Sequence, residues 1–247
     1  MQRVRELIAA VEKAHPRDRF FGPLDEILND SRHARAQYGA YERAFSYLDQ
    51  TSWRELRRKA VEHFRDHRAG QLKQGFFNQL NDAFAYQYLV RKGCSHVRVK
   101  PENGKTCPDL SYREHGQERF CEVKSMGISK EEIDRRERQQ KEILDLSVYH
   151  RLSEGFLHKL GAAMTNARQQ ITSQGAEGLV FVVVNFDDFT ASHYQTYRPQ
   201  LENQVLTHEA PEVFVKIGLT GTRHIFKPRT ATTHMKPAHN LRSSGSA

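Results

Sequence analysis

Two short motifs in the middle of the chain combine residue types that suit divalent-cation and phosphate chemistry. Pro108-Asp109 lies in one predicted strand, and Glu122-Val123-Lys124 lies in the next. Residues two apart on a strand point to the same face, so Glu122 and Lys124 project together, and a hairpin would bring Asp109 beside them. Two carboxylates and one ammonium group are costly in a core. They suit a divalent cation that binds next to a phosphate.

The same letters resemble the signature of the PD-(D/E)xK nuclease superfamily, which has the restriction-endonuclease-like fold. Glu122-Val123-Lys124 is the only acid-x-Lys triplet in the chain, and Pro108-Asp109 is the only Pro-Asp pair. Each lies where a strand is predicted, in the right order and one hairpin apart. The alternative interpretation is an ordinary amphipathic hairpin with a solvated Glu/Lys face, which is common in antiparallel sheets.

The resemblance implies a metal-dependent nuclease that hydrolyses phosphodiester bonds. In that interpretation Asp109, Glu122 and the backbone carbonyl of Val123 hold Mg²⁺, for which Mn²⁺ is a possible substitute. Lys124 then orients the attacking water or stabilises the transition state. Asp109, Glu122 and Lys124 are the predicted catalytic residues.

A helix predicted over 76–92 precedes the first strand, and in the superfamily this helix often adds an acidic ligand. Asp82 is the only carboxylate in it, so Asp82 is the candidate further metal ligand. Asn81 lies closer to the apolar stripe of the helix and offers an amide oxygen instead. Glu102, which also follows a proline, is the alternative to Asp109, although it falls in a predicted turn.

The first 70 residues are predicted to be helical. Ser52 and Glu55 have capping-box spacing at the start of one helix. The predicted exposed side of that helix is strongly basic, with Arg54, Arg57, Arg58, Lys59, Arg65 and Arg68. A basic helix can lie along a phosphate backbone, so Arg54, Arg57 and Arg58 are candidate nucleic-acid contacts. A solvated face of a helical bundle explains the same pattern.

The sequence after the motifs predicts an α/β core. A charged helix follows first, in which Arg135 and Arg136 are further candidate nucleic-acid contacts, although a solvated helix of mixed charge explains the same pattern. A long amphipathic helix is predicted over 156–174. The resemblance implies a polar residue of that helix that faces the site, for which Gln169 and Gln170 are the candidates. A continuous apolar strand follows over 179–186. A helix and two short strands are predicted over 192–206, 212–217 and 224–227. This order predicts an α/β fold in which helices flank a mixed central sheet, with a parallel strand pair.

Composition narrows the choice of partners. The 247 residues carry a formal charge of +8, which favours polyanionic partners, nucleic acid above all. With the nuclease resemblance, DNA is the preferred partner over RNA. Apolar runs are too short to span a membrane, and three cysteines without a CxxC motif suit a reducing cytoplasm. The predicted organisation is a helical region over 1–70, a nuclease-like core over 71–227 and a disordered basic tail over 228–247. A homodimer is possible. The alternatives to a nuclease are a catalytically inactive nucleic-acid-binding module on the same fold and a helical protein-interaction scaffold.

Overall fold

The fold combines a helical N-terminal part with a mixed β-sheet. In a computed structural model of the chain, the structure describes residues 1–66, 73–102, 107–127, 151–175, 177–184, 194–206, 213–217 and 223–226. The predicted tail over 228–247 lies outside these residues, and so does the predicted boundary at 70. In the described segments no helix has the length and apolarity needed to cross a membrane.

In the residues that the structure describes, six α-helices and one 3₁₀ turn precede the sheet. In chain order the helices are α1 (Gln2–Ala14), α2 (Leu24–Asp30), α3 (Arg32–Phe45), α4 (Gln50–Glu62), α5 (Gln74–Leu80) and α6 (Asp82–Arg91), and the 3₁₀ turn at His63–Arg65 follows α4. Aromatic side chains fill the space between these helices. Phe45 packs on Trp53, and Phe64 packs on Phe76. Helices thus account for most of residues 1–66, as the sequence predicts.

Helix α4 begins earlier than the capping-box spacing predicts. Asp49 is its N-cap, and the Asp49 carboxylate accepts a hydrogen bond from the backbone N–H of Ser52 at 2.8 Å. Aspartate satisfies a free N–H at a helix start as well as serine does. Ser52 is buried inside the helix, where its hydroxyl accepts from the N–H of Val99. The prediction that Ser52 caps this helix is wrong.

The single helix predicted over 76–92 is two helices that meet at Asn81. The N–H groups of Asn81 and Phe84 donate to carbonyls three residues back, which tightens the chain at this point. The Asn81 side chain is directed to the sheet rather than to its own helix. The predicted stop at Gly93 is confirmed, because Gly93 adopts a positive φ of 90° just after α6.

Six strands of the sheet are described, and their order in the sheet is their order in the sequence. They are β1 (Ser95–Val99), β2 (Leu110–Glu114), β3 (Gln117–Met126), β4 (Gly178–Val184), β5 (Val213–Ile217) and β6 (Arg223–Phe226). β1, β2 and β3 are antiparallel, whereas β3, β4 and β5 are parallel, and β6 returns antiparallel. The predicted hairpin is confirmed, and it turns at His115 and Gly116, both with positive φ.

Helices cover both faces of the sheet, so the predicted α/β class with a mixed sheet is confirmed. On one face, the N-terminal helices share a continuous hydrophobic cluster with Cys121 of β3 and Phe181 of β4. On the other face lie α7 (Glu154–Thr172) and α8 (Tyr194–Leu206), which pack on Met126 and Val182. Every residue of β4 is buried, as its continuous apolar sequence predicts.

Candidate functional site

The site forms where β2 stops pairing with β3. The last paired residues are Leu110 and Cys121, and Asp109 precedes β2. Asp109 continues the contact with its side chain: the Oδ2 atom accepts a hydrogen bond from the N–H of Val123 at 2.8 Å. The N–H and C=O of one strand residue point to the same neighbouring strand, so the Val123 carbonyl also lies on the side of β3 that faces Asp109.

Glu122 and Lys124 project from the same face of β3, as their spacing predicts. Lys124 Nζ donates to Glu122 Oε1 at 2.6 Å and to Gln170 Oε1 of α7 at 2.8 Å. Of the two candidate glutamines, Gln170 therefore reaches the site. Glu122 is 3% exposed, and its Oε2 atom has no hydrogen-bond partner within the described part of the chain. A buried carboxylate oxygen without a donor is costly unless a cation or a proton satisfies it.

The electrostatics of Glu122 reflect that incomplete set of partners. Burial raises the pKa of Glu122 to about 8, and the nearby charge of Asp109 acts in the same direction. Lys124 opposes both effects without cancelling them. Without another cation, Glu122 therefore binds a proton near neutral pH.

Asn81 approaches β3 from the opposite face. Its Nδ2 atom donates to Ser125 Oγ at 2.7 Å, which fixes the direction of the amide. Its Oδ1 atom is buried and accepts no hydrogen bond from any described residue. Asn81 thus provides a second unsatisfied oxygen near the end of the β2–β3 pairing, in a position that the sequence suggested only as an alternative to Asp82.

Lys59 of α4 is the residue of the site that sequence reasoning missed. The basic pattern of α4 predicts an exposed Lys59, but the side chain is 1% exposed. Its Nζ lies 3.0 Å from Asp82 Oδ2 and 3.8 Å from both Asp109 Oδ1 and Glu102 Oε1. The predicted exposure of Lys59 is wrong because the carboxylates that pair with it come from distant parts of the chain. The available signal was helical spacing, since Lys59 follows the buried Ser52 and Leu56 on one side of α4.

Glu102 links Lys59 to a histidine at the edge of the site. Glu102 Oε2 lies 3.0 Å from His63 Nε2, and His63 Nδ1 contacts Asp66. Burial lowers the pKa of His63, but the hydrogen bonds to the two carboxylates outweigh it, so the net pKa is raised. Glu102 adjoins the site beside Asp109 rather than replacing it.

Negative charge is in excess at the site. We refer to six of its residues together as the acid–lysine cluster: Lys59, Asp82, Glu102, Asp109, Glu122 and Lys124. Burial lowers the pKa of Lys59, but the surrounding carboxylates outweigh it, so the net pKa is raised. Burial raises the pKa of Asp82 to about 7, against the opposing effect of Lys59. Because carboxylates outnumber ammonium groups, Lys59 stays charged and any added proton binds to an acid.

None of the predicted nucleic-acid contacts on α4 forms an ion pair with the cluster in the described part of the chain. Arg58 is paired with Glu55 and Glu62 on the same helix, so its charge is compensated locally. Successive helical residues are about 100° apart, which puts Arg54 and Arg57 about 140–160° around α4 from Lys59. Arg135 and Arg136 lie outside the described residues. The phosphate-contact role of these arginines stays a prediction.

The donor set suits magnesium better than a softer or fully caged metal. The described residues contain no group of three or more His, Cys, Asp or Glu side chains arranged to hold a metal ion. Magnesium, however, binds through one or two carboxylates and keeps several waters. Asp109 and Glu122 provide two carboxylates, and the buried Glu122 Oε2 atom, which has no hydrogen-bond partner among the described residues, is a hard oxygen donor. Asp82 is poorly disposed as the predicted further ligand, because its Oδ2 atom accepts from Lys59.

Comparisons with known proteins do not identify a function, so the functional assignment rests on the chemistry of the site. No protein-family model matches the sequence, and searches of curated proteins and of solved structures found no significant match.

Proposed function

We propose that the chain is a Mg²⁺-dependent nuclease that hydrolyses phosphodiester bonds, with DNA as the favoured substrate. The observation that carries the proposal is the meeting of Asp109 and Glu122 at the end of the β2–β3 pairing, with Lys124 bound to Glu122. The net positive charge favours a polyanionic substrate.

The order of elements supports the same proposal. A hairpin carries the two motifs, and β3 continues through α7 into the parallel strand β4. This order resembles the restriction-endonuclease-like core of the PD-(D/E)xK superfamily, to which we propose that residues 71–227 belong. The proposal includes a cytoplasmic location, and it is compatible with a homodimer.

Asp109, Glu122 and the carbonyl of Val123 would hold the metal. When bound there, Mg²⁺ supplies a water of lowered pKa and offsets negative charge on the scissile phosphate. Asp109 would be oriented for this task by the Val123 N–H, which occupies one side of its carboxylate. The Oε2 atom of Glu122, which is buried and has no hydrogen-bond partner among the described residues, would be a donor to the metal.

Lys124 would act on the phosphate or on the attacking water. Glu122 and Gln170 take up two of the three directions in which an ammonium group donates, so the head group is fixed while one donor is left. Lys124 is 24% exposed at its side chain, which allows contact with a bound substrate. A preoriented ammonium group stabilises charge that develops on a phosphate oxygen in the transition state.

The proposal is tested by incubating the purified chain with supercoiled plasmid, linear duplex, single-stranded DNA and RNA. We expect cleavage with Mg²⁺ or Mn²⁺ and none with EDTA. Asp109→Asn, Glu122→Gln and Lys124→Met should each lower the cleavage rate by about 10²–10³-fold or more. Glu118→Gln is the matched control, because Glu118 is an exposed carboxylate on the same strand. A folded wild-type chain that cleaves none of these substrates with either metal contradicts the proposal.

A second candidate is a nucleic-acid-binding module without catalysis. Lys59 favours it, because this internal ammonium group already compensates part of the carboxylate charge without a metal. A pure binder would have a salt-dependent affinity for DNA that Glu122→Gln leaves unchanged, and it would show no cleavage. A protein-interaction scaffold would show no DNA affinity even at low salt.

A further inference from the structure

Lys59 brings a fixed positive charge into the acid–lysine cluster from outside the β2–β3 hairpin. It lies on α4, and both the whole residue and its side chain are 1% exposed. Buried lysines are uncommon in proteins unless they are paired. Here the pairing is with carboxylates that also surround the proposed metal site, so Lys59 has a consequence for that site.

The position of the ammonium group is that of a cation between carboxylates. Asp82 Oδ2 accepts from Nζ at 3.0 Å. Asp109 Oδ1 and Glu102 Oε1 both lie 3.8 Å from the same nitrogen. A second divalent ion beside a first one at Asp109 and Glu122 would use these same oxygens, because paired catalytic ions share a carboxylate and lie about 3.5–4 Å apart.

The cluster has two halves: the β3 half contains Glu122 and Lys124, and the α4 half contains Lys59, Asp82 and Glu102. Asp109 directs one of its two oxygens to each half. Oδ2 faces β3, where it accepts from Val123, and Oδ1 faces Lys59. The Lys59 ammonium group therefore occupies the position from which a second metal ion would bind Asp109 Oδ1. Ser52, Leu56 and Ala60 of the same helix are buried as well, so Lys59 extends from a buried side of α4.

We propose that Lys59 occupies the place of a second divalent cation, so that this site binds one metal ion rather than two. The inference rests on the proposed metal-dependent function and specifies its stoichiometry. Asp82 then acts as the partner that positions Lys59, not as a metal ligand. Glu102 closes the same position from the solvent side, since its side chain is 45% exposed.

The test counts Mn²⁺ ions by electron paramagnetic resonance and equilibrium dialysis, with no substrate present. Wild type at saturation should bind one Mn²⁺ per chain and give the six-line spectrum of an isolated ion. Two magnetically coupled ions in wild type overturn the inference but leave the nuclease proposal standing. Wild type that binds no Mn²⁺ overturns the metal-dependent function itself, and the inference with it.

Lys59→Met removes the charge and keeps most of the side-chain volume. It should bind a second Mn²⁺ with a coupled spectrum, and its first Mn²⁺ should bind about tenfold more tightly, because a like charge has been removed. Unchanged stoichiometry and affinity in the folded variant overturn the inference. If Lys59→Met does not fold, Lys59→Gln is the second variant. The number of Mn²⁺ ions bound by wild type tests the inference independently of both variants. Lys13→Met, which removes an exposed lysine, is the matched control and should behave as wild type.

Discussion

The two halves of the acid–lysine cluster compensate the charge of their carboxylates in different ways. In the β3 half, Glu122 has a buried oxygen with no hydrogen-bond partner among the described residues, and the pKa of Glu122 is raised to about 8. In the α4 half, Asp82 is paired with Lys59, and Glu102 is paired with His63. The β3 half is thus incomplete without an added cation, whereas the α4 half carries its own. An incomplete buried site is typical of function, and a complete one is typical of structure.

The largest effect that separates the halves is expected at Glu122. Glu122→Gln should abolish cleavage, yet it should raise the Tm of the metal-free protein at pH 8 by about 2–4 °C. The reason is that the substitution removes a buried charge that only Lys124 compensates. Thermal unfolding followed by circular dichroism in EDTA measures the shift. A clear fall in Tm would mean that Glu122 is stabilising, as Asp82 is, and would erase the difference between the halves.

The next largest effect is expected at Asp82. Asp82→Ala leaves the Lys59 ammonium group buried without its closest partner and should cost about 3–5 kcal/mol of unfolding free energy. Urea denaturation measures this loss. The matched control is Asp25→Ala, which removes an exposed carboxylate from a surface ion pair with Arg5. A loss at Asp82 no larger than that at Asp25 would show that the Lys59–Asp82 pair does not hold α4 to the rest of the fold.

The difference between the halves also decides what the sequence could predict. Asp109, Glu122 and Lys124 lie within one hairpin, and period-two spacing with a two-residue turn fixes their relative placement. Their proximity was therefore predictable. Asp82 and Lys59 are 23 residues apart and meet only because the tertiary fold brings α4 close to the start of α6 within one hydrophobic cluster. No local pattern encodes that contact, so a basic helix face was predicted instead.

The same limit applies to the fold. Apolar runs and amphipathic spacing predicted β4 and α7, because each is decided by its own sequence. The break at Asn81 was not predicted, since its side chain bonds to Ser125 of a strand 44 residues away. Tertiary contacts therefore set the details that matter most at this site, whereas local patterns set the class of fold.

Acidity should affect the halves to different extents in the metal-free protein. The folded-state pKa of Glu122 is about 8, well above the value of about 4.3 for an unfolded chain. Between these values the folded state binds more protons than the unfolded state, so stability falls as pH rises. Asp82 and His63, whose pKa values are also raised, act in the same direction.

The Tm in EDTA should therefore fall by at least about 4 °C from pH 5.5 to pH 8.5. Unfolding scans across this range, with wild type and Glu122→Gln in parallel, measure the dependence. The variant should show a shallower fall, because the largest shift has been removed. Addition of Mn²⁺ at pH 8 should raise the Tm of wild type back toward its value at pH 5.5. It should leave the Tm of Glu122→Gln almost unchanged. If the Tm falls equally with pH in the two proteins, the pH dependence arises from the α4 half.

The smallest effect is expected at the solvent edge of the α4 half. His63, Asp66 and Glu102 are each about a third exposed or more, so their ion pairs are screened by water. His63→Gln keeps a hydrogen-bond donor toward Glu102 and should change the unfolding free energy by less than about 1 kcal/mol. Urea denaturation at pH 6 and pH 8 measures it, and cleavage should stay at the wild-type rate. A loss of cleavage in a stable His63→Gln variant would extend the functional site across Glu102, and the α4 half would then be part of the chemistry rather than its support.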